Sequence, residues 1–188
     1  DFVDKLLSHF EIEDLYGKSI KDKRGGDNNI HSWDIGVKGE VTDEQCKLLN
    51  KLFKERRKKQ WAIEIGSDWM DGMALTLEQI NTFVDKPKNE LKSMLDDLVK
   101  KGYLKFEHPK KLVKEQTPNG VKSYRDYDIT KPKGYNIVTG KLSFEINKIL
   151  DPNDIAPTLV ATDVSRLAVP DGNGLRRLTI REGLRLLS

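Results

Sequence analysis

Along much of the chain, apolar positions recur every three or four residues with charged residues between them, the pattern of amphipathic helices packed on a core. Phe2, Leu6, Leu7 and Phe10 open it with a short helix. The stretch KDKRGGDNNIHSWDIGVKGE (21–40) has no such period, is rich in Gly, Asn and charge, and reads as a loop with Trp33 as its anchor. Thr42 followed by Gln45 is a capping box, and Cys46, Leu49, Leu52 and Phe53 continue at helical spacing, predicting a helix over 43–59. A second box, Thr76 to Gln79, opens a short helix carrying Ile80 and Phe83. Pro87 then suits a first helical position, Leu91, Met94, Leu95 and Leu98 make one apolar stripe, and Lys100, Lys101 and Gly102 supply a basic last turn and a stop. YLKFE (103–107) reads as a strand, PNG (118–120) as a turn and SYRDYDI (123–129) as the returning strand. Near the C-terminus a third box, Thr179 to Glu182, predicts a short helix from Ile180, with Leu184 and Leu187 on its face.

Helix, short helix, second helix and two-stranded ribbon, in that order, resemble a winged helix-turn-helix. The expected class is α+β: a loop-rich arm over 1–40, a winged-helix-like domain with a β-ribbon over 41–130, and a small irregular β-rich recognition segment with a short C-terminal helix over 131–188. In a DNA-reading version the second helix of the pair enters the major groove and the ribbon touches the backbone. That helix would expose Lys88, Asn89, Lys92 and Ser93, but the same face carries Asp96 and nearby Asp97, which phosphates repel. The ribbon is the better candidate for backbone contact, with Lys110, Lys111, Lys114, Lys122 and Arg125 on or beside it. Winged helices also serve as protein-docking modules, so a stand-alone DNA-binding regulator and a protein-interaction module remain the alternative readings.

Composition narrows the setting. A chain of 188 residues that is 37% hydrophobic can bury one good core or two small ones. Its net charge is only +3 although 34% of residues are charged, so distribution matters more than the sum. Basic clusters stand at 18–24, 54–59, 108–114 and 131–133, which raises nucleic acid as a partner without establishing it. No apolar run approaches a membrane span, and the N-terminus lacks the pattern of a signal peptide. The single cysteine, Cys46, excludes an internal disulfide, and His9, His31 and His108 are too scattered for a zinc site. A reducing, cytoplasmic location is expected. The absence of an initial methionine is read as the mark of an excised fragment.

The last quarter of the chain is more specific. IAPTLVATDVSRLAV (155–169) carries a Pro-Thr-Leu turn at Pro157, Thr158 and Leu159, and RRLTIREGLRLLS (176–188) follows the pattern Arg-x-Leu-Thr-x-Arg-Glu-x-x-Arg-Leu. Together they resemble the end of the target-recognition region and the ninth conserved motif of the DNA cytosine-5 methyltransferases. That family's pattern continues into a Gly-Phe-Pro turn, and the abrupt end here is read as a fragment boundary.

The resemblance implies roles residue by residue. Thr158 and Leu159 match a pair at the DNA backbone near an extruded cytosine. Thr162, Asp163, Ser165 and Arg166 occupy a loop that reaches base edges. Arg176, Thr179, Arg181, Glu182 and Arg185 match positions that hold the recognition domain against the catalytic one. The implied partners are double-stranded DNA and that catalytic domain, the implied state a monomer, and the implied methyl donor of the whole enzyme S-adenosylmethionine. Family members attack carbon 6 of a flipped cytosine with a cysteine in a Pro-Cys context. Cys46, in DEQCKLL on the apolar side of a helix, reads instead as a buried structural thiol, and no Gly-rich turn follows an early strand to cradle a cofactor. No catalytic, metal or cofactor-binding residue is therefore expected in this segment, and the isolated chain is expected to be inactive. Asp68 and Asp71, in GSDWMDG (66–72), fit a turn.

Overall fold

A computed structural model describes the chain except for residues 23–27, 119, 140–143, 156–157, 159–163 and 188, and describes Leu187 by its backbone alone. In chain order the elements are α1 (Phe2–His9), β1 (Ser19–Ile20), β2 (Asn29–Ile30), α2 (Asp43–Glu55), α3 (Gln60–Glu64), α4 (Leu77–Phe83) and α5 (Lys88–Lys101). There follow β3 (Leu104–Glu107), β4 (Lys110–Thr117), β5 (Gly120–Tyr127), β6 (Gly134–Ile137), β7 (Lys148–Ile149), β8 (Leu167–Asp171), β9 (Gly174–Arg177) and α6 (Ile180–Leu187). The fold is mixed α+β. Its two compact units are Val41–Val138 and, discontinuously, Asp1–Glu40 with Thr139–Ser188. The first 40 residues, expected as a separate arm, thus fold with the C-terminal segment.

In the Val41–Val138 unit, local sequence signals set the helix starts. Thr42 Oγ1 accepts from the Gln45 backbone N–H at 3.2 Å while Gln45 Oε1 accepts from that of Thr42 at 3.1 Å. Thr76 and Gln79 do the same at 3.2 and 3.0 Å. Such a cap contributes about 1 kcal/mol. The expected 43–59 helix is two: α2 ends at Glu55, and α3 resumes at Gln60 to bury Trp61 and Ala62. Pro87 sits at the N-cap of α5, one position earlier than expected, and Gly102 ends that helix at φ +83°, a left-handed conformation that disfavours a side chain. Leu91, Leu95 and Leu98 are fully buried, each contributing about 1.5–3 kcal/mol by leaving water.

The strand pairing differs from the sequence reading. The strand within YLKFE pairs antiparallel with β6 in the register Leu104 to Ile137 and Glu107 to Gly134, and not with residues 123–129. Those residues fall largely in β5, whose partner is β4, from Lys110 opposite Tyr127 to Thr117 opposite Gly120. β4 shows no period-two alternation because no residue of either ribbon strand is buried, so nothing in its sequence marks it as a strand. β6 is also bridged to Leu75, whose N–H donates to Tyr135 O at 3.0 Å and whose carbonyl accepts from Tyr135 N–H at 2.7 Å.

In the discontinuous unit, a five-stranded sheet has the order β2-β1-β7-β8-β9. Its pairings β1–β2 and β7–β8 are parallel, while β1–β7 and β8–β9 are antiparallel. Leu6, Leu15, Ile20, Ile35, Ile146, Ile149 and Ala168 form its core, with Phe2 of α1 and Phe10, just past that helix, packed against it. Trp33 is buried, as an anchor should be, and stacks on His31 with ring centroids 4.4 Å apart.

Candidate nucleic-acid interface

The β4–β5 ribbon presents most of the expected backbone-contacting cations. Lys110, Lys111, Lys114, Lys122 and Arg125 all lie on it. It is anchored at its base: Asp128 N–H donates to Pro109 O at 2.8 Å, and the Tyr127 hydroxyl donates to Glu107 at 2.7 Å. Asp68, read from sequence as a turn residue, accepts from the Leu112 N–H at 2.8 Å and lies 4.0 Å from Arg125 Nη1. Its partner Asp71 lies 3.5 Å from Arg57. No spacing rule links residue 68 to 112, so sequence could not reveal this contact.

The exposed face of α5 is electrically self-satisfied. Lys88 pairs with Glu78 at 2.6 Å and Lys92 with Asp96 at 2.5 Å. Asp96 also accepts from the Tyr135 hydroxyl at 2.8 Å, and Asp97 from Lys101 at 2.7 Å and Gln45 at 2.6 Å. The Lys92 hydrogen bond, with that of Tyr135, holds the Asp96 carboxyl below its ordinary value. Asn89 is exposed in the first turn. The two acids therefore brace the fold, and the two lysines expected to meet DNA already have anionic partners.

Of the basic run at 54–59, Lys54, Lys58 and Lys59 are exposed and Arg57 is half-buried, but Arg56 is interior. Arg56 is buried, continues the Leu49–Leu52 stripe of α2, and donates to Asn136 Oδ1 at 2.7 Å. Burial, and then the neighbouring Arg57 charge, push its pKa down to about 10, so it remains a cation at neutral pH. Asn136 also donates to Gly72 O at 3.2 Å and Glu107 at 2.8 Å. Burial raises the Glu107 carboxyl, but hydrogen bonds from Lys105, Asn136 and Tyr127 outweigh it and hold the group below its ordinary value. The helical stripe was the signal for Arg56: it falls four residues after Leu52. Cys46 is half-buried and accepts from the Asn50 amide at 3.5 Å.

At the C-terminal end, Arg176 grips Glu182 through two parallel hydrogen bonds of 2.8 Å and lies 3.2 Å from Asp171. Glu182 Oε2 also accepts from the Thr179 N–H and hydroxyl, each at 2.9 Å, and the Glu182 N–H donates back to Thr179 Oγ1 at 3.3 Å. The Arg176 bonds, then those of Thr179, bring the Glu182 carboxyl down to about 2. Three of the five expected junction residues thus hold one another. Arg181 and Arg185 are exposed on α6, beside Ile180 at 85% and Leu184 at 64% exposure. A cleft of about 390 Å³ lies between α6 and residues Leu150, Pro152, Val169 and Pro170.

Of the expected DNA-contacting loop, Thr158 is exposed, and Ser165 and Arg166 are exposed in a 3₁₀ turn over Val164–Arg166. Leu159, Thr162 and Asp163 lie outside the described residues. Among the described residues, no group of three His, Cys, Asp or Glu is placed to hold a metal ion, and no helix is long and apolar enough to cross a membrane.

Known proteins resemble this chain over nearly all its length. It is 61% identical to the Type II methyltransferase M.NlaIV of Neisseria lactamica over 185 residues, 98% of this chain and 41% of the relative. These homologues are methyltransferases. The Type II methyltransferase M.NgoBV of Neisseria gonorrhoeae is 59% identical over the same shares. The Type II methyltransferase M.HgiCI of Herpetosiphon aurantiacus is 37% identical over 99% of this chain and 37% of its own length. The chain therefore spans about two fifths of the relatives it matches. No family model and no solved structure matches it. The expected relation to methyltransferases holds at this level.

Proposed function

We propose that this chain is the target-recognition part of a sequence-specific DNA cytosine-5 methyltransferase of a bacterial restriction-modification system. Its role is to bind double-stranded DNA so that a catalytic part, elsewhere in the same protein, transfers a methyl group from S-adenosylmethionine to carbon 5 of a flipped cytosine. The observation that carries this reading is the Arg176–Thr179–Glu182 clamp: the residues that match the ninth motif are the ones that fix one another at the root of α6. A bidentate arginine–glutamate pair sets orientation more than it adds stability.

In this reading α6 meets the catalytic part through Arg181, Arg185, Ile180 and Leu184. Thr158 and Leu159 lie at the DNA backbone, and Thr162, Asp163, Ser165 and Arg166 approach base edges. The Val41–Val138 unit is in this reading a winged-helix module: α4 and α5 precede β3, β3 pairs with β6, Leu75 is bridged to β6, and β4–β5, between those strands in sequence, is the wing. The paired lysines of α5 favour the ribbon over this helix as the point of DNA contact. The assembled enzyme acts as a monomer in the cytoplasm.

The decisive experiment replaces the matching 185-residue region of the Neisseria lactamica relative with this chain and maps the methylated positions on DNA. The expected product is 5-methylcytosine, detected by resistance to bisulfite conversion, within one short consensus. Methylation of an exocyclic amine, on adenine or cytosine, would overturn the cytosine-5 assignment. Methylation without a consensus would overturn target recognition.

A further inference from the structure

Residues directly opposite in an antiparallel pair share a face, and alternate residues along each strand do too. Applied to β4–β5, this rule separates the charges. One face carries Lys110, Lys114 and Arg125 with Leu112, Val121 and Tyr127, and its remaining members, Gln116 and Ser123, are also uncharged. No acid stands on it. The other face is balanced: Lys111 lies opposite Asp126 and Lys122 opposite Glu115. Lys111 also lies 3.5 Å from Asp128.

We propose that the ribbon meets the sugar-phosphate backbone of duplex DNA with the Lys110–Lys114–Arg125 face alone, and that Lys111 and Lys122 take no part. This rests on the DNA-binding reading above and narrows it. Arg125 stands level with Leu112, between Lys110 and Lys114, so the cations follow one another at steps of two residues, about 6.7 Å. The array covers about 13 Å, over which one DNA strand presents about four charges at 3.4 Å of axis each. Leu112 and Val121, 45% and 57% exposed, lie among the cations and offer apolar surface to the deoxyribose rings. Lys110 Nζ rests 5.1 Å from the centre of the Tyr127 ring, which holds the ammonium on this face. The acids beside the face come from outside the ribbon: Glu107, which accepts from the Tyr127 hydroxyl at 2.7 Å, and Asp68, at 4.0 Å from Arg125. The Asp68 carboxylate weakens the anion attraction of that arginine.

The test measures binding of the chain to a fluorescent duplex between about 50 and 200 mM salt, the range over which counterion release is steep. The triple variant K110Q/K114Q/R125Q should flatten the plot of log affinity against log salt by up to about 2.7, which is three contacts at about 0.9 each. Over that fourfold salt range the unaltered chain should then lose about 40-fold more affinity than the variant. The neutral swap K111Q/D126N/E115Q/K122Q should leave the slope unchanged. Asp68→Asn keeps an acceptor for the Leu112 N–H while removing the charge, and should tighten binding, a gain that misfolding cannot produce. An unchanged slope in the triple variant, a flattened one in the swap, or weaker binding by Asp68→Asn overturns the one-face assignment while leaving DNA binding intact. Absence of duplex binding by the unaltered chain at the lowest salt overturns the DNA-binding reading and the assignment with it.

Discussion

Gly134→Ala should unfold the Val41–Val138 unit more readily than any change on the ribbon. A Cβ built on Gly134 would stand 2.4 Å from both the carbonyl carbon and oxygen of Leu75 and 2.9 Å from its nitrogen. These are backbone atoms, so no side chain can swing aside. The strand must move, and the bonds Leu75 N–H to Tyr135 O (3.0 Å) and Tyr135 N–H to Leu75 O (2.7 Å) break with it. Leu75 and Tyr135 are both buried, so water does not replace them. Two bonds at about 1–1.5 kcal/mol net, with some cost for buried groups left unpaired, give a loss of about 2–4 kcal/mol. Removing glycine's freedom from the unfolded chain returns about 0.4–1 kcal/mol. The net loss is about 1–3.5 kcal/mol, a fall in melting temperature of roughly 4–28 °C for a unit of this size. Thermal unfolding by circular dichroism gives the shift, and hydrogen exchange at the Leu75 and Tyr135 amides reports the bridge itself. Lys133→Ala, exposed next door, is the control. A fall of less than about 3 °C with both amides still protected would refute the steric argument.

The remaining predictions concern the polar network, the clamp, α6 and assembly. Asn136→Ala removes one hydrogen-bond partner from the buried Arg56 and one from the half-buried Glu107, and should cost about 2–4 kcal/mol in urea unfolding, whereas Lys122→Ala on the ribbon should cost less than about 0.5 kcal/mol. The Glu182 carboxyl is depressed from 4.5 to about 2, so its contribution is complete above its unfolded value and is lost as pH falls through its folded one. The melting difference between the unaltered chain and Glu182→Gln should therefore be constant above pH 5 and vanish between pH 4.5 and 2; a difference that persists below 2 would count against the clamp. Gly183→Ala brings a Cβ to 2.6 Å from Val164 Cγ1, and overpacking of about 1–3 kcal/mol should exceed the roughly 1 kcal/mol gained in helix propensity. In a Val164→Ala background the same change should become stabilising, and equal effects in both backgrounds would show that the contact carries no energy. Sedimentation should give a monomer near 21.5 kDa, against the dimer expected of a stand-alone regulator on a palindromic site.

Much of the helical framework was legible because its signals are local. The Thr42, Thr76 and Thr179 boxes each begin a helix where the spacing placed it, and Gly102 ends α5. The strand pairing was not legible, for two physical reasons. No residue of β4 is buried and its sequence carries no alternation, so only its pairing with β5 defines it. β6 is four residues long, GYNI, and is recruited by the close approach of Gly134 to Leu75, a contact across 59 positions that no periodicity encodes. In the candidate site, the ribbon lysines were readable as a group and their division between two faces was not, because the division depends on the register with β5. Arg56 reads from sequence as one member of a basic cluster, although its position on the α2 stripe marks it as interior.

Under the proposed function, the fate of the cations explains how a chain with a net charge of only +3 is directional toward DNA. Arg56 is interior, Lys88, Lys92 and Lys101 face acids on or beside α5, and Arg176 is committed to Glu182. Each pairing removes a cation from the non-specific term, which is what makes a basic protein bind any duplex in any orientation. Under the proposed function, a ribbon face with no acid of its own then supplies attraction from one direction, and attraction from one direction orients the chain before any base is read. Neutralising the α5 acids should therefore harm specificity more than affinity. Asp97→Asn frees the Lys101 charge while the new side-chain amide keeps an acceptor for Gln45, so affinity for random duplex should rise while the ratio of specific to random binding falls. A competition titration with unlabelled random duplex reads that ratio, and a ratio unchanged by Asp97→Asn would show that pairing on α5 serves the fold alone.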